Sequence, residues 1–93
     1  MVGILYLVLC IPGCRSLKEK RSAIKPLIHR LHREFNISIA EVNFQDAWSK
    51  AGINCACIAN DGIQCQKVLQ SVINFIPLHF RELEIIEHKI EII

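Results

Sequence analysis

From Val2 to Ile11 the chain is an unbroken apolar run rich in Ile, Leu and Val, stopped by Pro12-Gly13. Apolar side chains on both alternating sets predict a strand covered on both faces, hence a central one. Ser16-Leu17-Lys18-Glu19 then has the form of a capping box, in which the serine hydroxyl accepts from the backbone N–H three residues on and the glutamate reaches back. Leu17, Ile24, Leu27, Ile28, Leu31 and Phe35 recur at three- and four-residue steps. That spacing predicts a helix to about Glu34, ended by Asn36, with one apolar stripe. Pro26 falls opposite the stripe, where it removes one hydrogen bond and is expected to kink the helix outward.

Beyond the helix, Ile37 to Phe44 alternates as a second strand, Gln45 to Trp48 forms a turn, and Ala51 to Ala59 is a third strand. Asn60 or Asp61 caps a second helix that turns Cys65, Leu69, Val72, Ile73 and Ile76 inward and is expected to stop at Pro77. Leu83 to Ile92 is the last strand. The order β-α-β-β-α-β predicts an α+β, ferredoxin-like fold: a four-stranded antiparallel sheet with two helices on one face, placed there by right-handed crossovers. Residues 1–93 make a single domain, because a chain this short has no room for a second core.

This topology collects residues from distant parts of the chain. Cys10–Cys14, Ser16–Arg21, Glu41–Asn43 and Asp46–Trp48 should share one edge, with Asn60-Asp61 at the opposite edge. Charge singles out the same region. Residues 15–33 hold seven of the eleven Lys and Arg residues and one of the nine acidic ones, so this segment carries +6 and the remainder −4. The free N–H groups of a helix start together with Ser16, Lys18, Lys20, Arg21 and Lys25 would suit a phosphate; the plainer alternative is a solvated helix face. Lys20 is the odd member, since it projects close to the centre of the apolar stripe, where a charge needs a partner. Glu41, expected on the same edge, is the natural one. Trp48 either faces a partner or lids the end of the core.

Composition adds a second surface. The chain is 52% hydrophobic with sixteen Ile, too apolar and too near neutrality for a disordered protein. A small two-layer domain hides that much apolar surface with difficulty, and the surplus falls on the sheet face away from the helices, at Tyr6, Val8 and Cys10. A homo-oligomer or a docked protein would cover it. Base stacking on the sheet is not expected, because the first strand offers only Tyr6 and the third no aromatic.

Chemistry is sparse. The apolar N-terminus lacks the basic residues of a signal peptide and is about half the ~20 residues of a membrane span, so neither secretion nor a membrane is expected. The five cysteines are then expected as reduced thiols in the cytoplasm. Cys10 and Cys14 have three residues between them rather than the two of a metallochaperone loop, Cys55 and Cys57 fit small core positions, and His29 and His32 face solvent without a carboxylate nearby. No Ser–His–Asp or Cys–His set, glycine-rich phosphate loop or carboxylate pair is present. The expectation is no catalytic residue, no metal and no cofactor.

Finally, Pro12-Gly13, the run Ser16 to Arg21, the run Phe35 to Val42, the run Gln45 to Trp48, and Asn60-Asp61 resemble the YlxP-like family, small bacterial proteins of uncharacterised function. The resemblance spans nearly the whole chain and implies a ferredoxin-like fold. Genes of the family often lie beside those for translation initiation and ribosome maturation factors, which implies a ribosome-associated or rRNA-binding role. Polar residues are usual in the family where Tyr6, Val8 and Cys10 stand here, Pro26 replaces a helix-compatible residue, and the cysteines lie outside the signature. The expected function is therefore a non-enzymatic accessory factor that touches ribosomal RNA or a ribosomal protein through Ser16, Lys18, Lys20, Arg21 and Lys25, with Glu41, Asp46 and Trp48 shaping the edge. The alternative is a homo-oligomeric interaction module using Tyr6, Val8 and Cys10.

Overall fold

A computed structural model describes all of residues 1–93. Six elements follow in the order β1 (Val2–Cys10), α1 (Leu17–Glu34), β2 (Ser38–Val42), β3 (Lys50–Ile58), α2 (Gly62–His79) and β4 (Glu84–Ile92). The strands form one antiparallel sheet in the order β2-β3-β1-β4. This is the expected ferredoxin-like arrangement, with β1 and β3 central.

Burial along β1 alternates strictly. Gly3, Leu5, Leu7 and Leu9 are buried under the helices, while Ile4, Tyr6, Val8 and Cys10 are half-buried on the other face. On the covered side α1 contributes Ile24, Leu27 and Leu31, and α2 contributes Cys65, Leu69, Val72, Ile73 and Ile76. α2 comes so close to β1 that a Cβ on Gly3 would lie 2.9 Å from the Cys65 Cβ, so only glycine fits there. At the far end of the helices Phe35 meets Phe75 edge-on at 5.5 Å, with the Arg30 guanidinium over the Phe75 ring.

Both helices are capped as their sequences imply. The Ser16 hydroxyl accepts from the Glu19 N–H at 3.1 Å, and an Asp61 carboxylate oxygen accepts from the Gln64 N–H at 2.8 Å. α1 runs unbroken through Pro26, which is exposed, and closes at Phe35 rather than Asn36.

Two further boundaries differ from expectation. α2 does not stop before Pro77 but continues to His79, whose ring stacks on Phe75 at 3.9 Å. Pro77 sits exposed in the last turn, where its missing N–H forfeits one bond and the Phe80 N–H still closes the helix on the Ile76 carbonyl at 2.8 Å. β2 ends at Val42 instead of Phe44, because Asn43 and Phe44 turn into left-handed backbone, with φ of 59° and 51°. β4 also carries a bulge: the register with β1 shifts between Val8 and Leu9, leaving Ile86 as the extra residue.

Candidate functional site

Lys20 organises the motif-bearing edge. It lies on the buried stripe of α1, 2% exposed, and its ammonium donates to three backbone carbonyls: Phe44 at 2.7 Å, Ala47 at 2.9 Å and Lys50 at 3.0 Å. The Glu41 carboxylate stands 3.3 Å away and supplies the counter-charge. An ammonium has three protons, so the three carbonyls use all of them. The expected Lys20–Glu41 pair is present, but Lys20 cannot serve as the phosphate contact that the basic run suggested. Its charge points inward and clamps the β2–β3 loop.

The loop needs a matching concession from β3. A Cβ on Gly52 would collide with the Val42 carbonyl oxygen and approach the Phe44 ring at 3.5 Å. Glycine thus lets the chain fold tightly over β3 as it leaves β2. Phe44 is carried onto the open sheet face, with the Lys50 ammonium 5.7 Å from its ring centre. The alternation of Ile37 to Phe44 hid this residue inside a strand; only Asn43, which tolerates left-handed backbone, marked the turn. Trp48 is 55% exposed, so it is not a lid on the core. Asp46 is exposed beside it.

The start of α1 is less open to an anion than its sequence implies. The Ser16 hydroxyl is engaged by the Glu19 N–H, and the Glu19 carboxylate accepts from the Arg15 N–H at 2.6 Å. Ser16 therefore acts as a helix cap, and the phosphate expected there meets a carboxylate already in place. Lys18, Arg21 and Lys25 are exposed as expected. The ion pairs of the molecule are Lys20–Glu41, Arg30–Glu34 and Lys89–Glu91, so these three cations have no acidic partner. His29, His32 and Arg33 continue the exposed face toward the end of the helix.

Tyr6, Val8 and Cys10 lie together on the open sheet face, next to Ile4 and above Gly52 and Asn54 of β3. The face is mixed rather than uniformly apolar. β4 lines it with Glu87, Lys89 and Glu91, and the Tyr6 hydroxyl donates to Glu91 at 3.3 Å. Partial burial and then the Glu91 charge hold the Tyr6 phenol above its ordinary pKa. Cys10 belongs to this face, whereas Cys14 packs against the core, and all five thiols are free. Burial pushes the Cys55 thiol up to about 12, with Cys57 beside it adding to the rise. Such thiols are poor nucleophiles. No helix is long and apolar enough to cross a membrane.

Residues 2–90 match the family described as "Protein of unknown function (DUF503)". The chain belongs to the DUF503 family. It is also 36% identical over 84 residues to the uncharacterized protein YlxP of Bacillus subtilis (strain 168), which covers 90% of each chain. The resemblance carried by the Ser16–Arg21, Phe35–Val42 and Gln45–Trp48 runs is thereby established. In this DUF503 chain those runs have a shared structural meaning, for they meet at the Lys20 clamp: α1 supplies the ammonium, β2 the carboxylate, and the loop together with the first residue of β3 the carbonyls.

Proposed function

We propose that the protein is a non-enzymatic accessory factor that binds ribosomal RNA through the outer face of α1. The observation that carries this reading is the row of exposed, unpaired cations Lys18, Arg21 and Lys25, continued by Arg33, on a helix whose two remaining ion-paired cations are Lys20 and Arg30. Leaving several like charges together without acidic partners is unfavourable for folding, and a polyanion relieves it. Phosphates would be met by these side chains rather than by the helix N-terminus, which Ser16 and Glu19 occupy.

Binding of this kind releases counterions and weakens with salt. The protein should co-sediment with small ribosomal subunits at low salt. Each phosphate that a side chain neutralises adds roughly 0.7–0.9 to the log–log salt slope. Changing Lys18, Arg21 and Lys25 to Ala should therefore abolish most of the binding and reduce that slope by about 2–3. Failure to co-sediment, or unchanged binding by the triple variant, rejects the proposal.

A second reading rests on the helix-free face of β1, where Ile4, Tyr6 and Val8 lie in a row beside the small residues Gly52 and Ala56 of β3. Self-association through this face would cover them. Light scattering at high protein concentration tests it, and a strictly monomeric protein eliminates it.

A further inference from the structure

We propose that Trp48 is a stacking platform for an unpaired base, so that the RNA engaged at this edge is single-stranded there. The proposal deepens the RNA-binding reading above and rests on it. Three features of the β2–β3 loop converge on this chemistry.

First, Trp48 is displayed and held. Its ring is 55% exposed, yet the backbone on either side is pinned, because the Ala47 and Lys50 carbonyls both accept from the buried Lys20 ammonium. The Ser49 carbonyl is tied as well, accepting from the Ile11 N–H at 2.8 Å. A large apolar side chain on a mobile loop would lose much of its binding free energy in becoming ordered. One on a clamped backbone is already placed.

Second, the loop adopts unfavourable backbone to keep its shape. Asn43 and Phe44 are left-handed, a conformation in which a bulky residue such as Phe is an outlier, and Phe44 remains 42% exposed. Strained, ordered segments that leave aromatics in water are the kind in which binding function is expected.

Third, the loop sets a cation against an aromatic ring. The Lys50 ammonium lies 5.7 Å from the centre of the Phe44 ring where the loop returns to β3, and Asp46 is the one acidic residue between β2 and β3. Aromatic faces next to cations suit unpaired nucleotides, since each base has a π-face and each nucleotide a phosphate. A duplex hides its base faces and would engage only the cations.

The chain contains one tryptophan, so indole fluorescence reports on Trp48 alone. Titration at low salt with a single-stranded RNA oligonucleotide should quench it strongly, whereas the same sequence as a duplex should leave it nearly unchanged. Trp48→Ala should weaken binding of the single strand by about 5- to 150-fold, the range for loss of one stacked base, while Trp48→Phe retains most of it. Because the ring is exposed, circular dichroism should show both variants folded. If RNA binds in a salt-sensitive way that depends on Lys18 and Arg21, but without quenching and equally well to Trp48→Ala, the stacking site is wrong and the RNA reading stands. Equal quenching by the duplex also overturns the stacking site. If neither form of RNA binds, both proposals fall.

Discussion

The Lys20 ammonium stands 3.3 Å from the Glu41 carboxylate, farther than from any of the three carbonyls that accept its protons. Glu41 therefore neutralises the buried charge, while the carbonyls supply the hydrogen bonds. No buried side-chain nitrogen or oxygen in the molecule lacks a partner, and removing Lys20 would take this donor from three backbone carbonyls at once.

The two partners should accordingly differ in cost. Lys20→Met keeps the apolar stem but strands three carbonyls and a half-buried carboxylate, and should destabilise the protein by about 3–5 kcal/mol. Glu41→Gln leaves the carbonyl bonds intact but takes the counter-charge from a buried ammonium, and should cost about 2–3 kcal/mol, less than Lys20→Met. Urea denaturation of both single variants and of the double variant checks the order. Equal costs for the two would show that the pair, rather than the clamp, carries the stability.

Gly52→Ala tests the tight path of the loop. The added methyl cannot be accommodated by a side-chain rotation, because it meets the backbone oxygen of Val42. A loss of at least about 2–3 kcal/mol is expected, at the upper end of overpacking costs. Thermal unfolding measures the loss, and Trp48 fluorescence should show whether the loop has moved.

The thiols should separate into two classes. Cys10 and Cys14 are half-buried, while Cys55, Cys57 and Cys65 are buried. At neutral pH a thiol reagent should label no more than the first two quickly, and all five only in denaturant. Rapid native labelling of a third would show that the core opens readily.

Alkaline pH should unfold the protein progressively. In the unfolded chain the Cys55 thiol ionises near its ordinary 9.0, whereas in the folded state it does so at about 12. Between those values the folded state retains a proton that the unfolded state loses, so the associated stability is intact below pH 9.0 and is lost as the pH rises toward 12. Cys57, also raised by burial, acts in the same direction. The melting temperature should fall over this interval, and less steeply in Cys55→Ala.

Much of this architecture is legible from the order of residues. The run at β1, the Ser16 and Asp61 caps and the apolar steps of α1 are local signals, and together they specify the topology. Lys20 announces itself as buried because its place in the helical stripe depends only on spacing. Its role as a loop clamp stays hidden, because backbone carbonyls have no letter in the sequence. Phe44 is misread for a related reason: it turns left-handed just past the point where the Val42 carbonyl closes on Gly52, an approach made only when the sheet assembles. Pro77 shows the converse, with packing of Phe75, Ile76 and His79 carrying the helix past a residue that disfavours it.

The bulge at Ile86 bears on how this sheet behaves in a crowded solution. β4 is a nine-residue edge strand with an unpaired outer side, which would ordinarily invite a further strand from another molecule. The register shift bends that side, and Glu84, Glu87, Lys89 and Glu91 place charges along it. In a chain with sixteen isoleucines, the bulge and these charges make the β4 edge a poor template for a fifth strand.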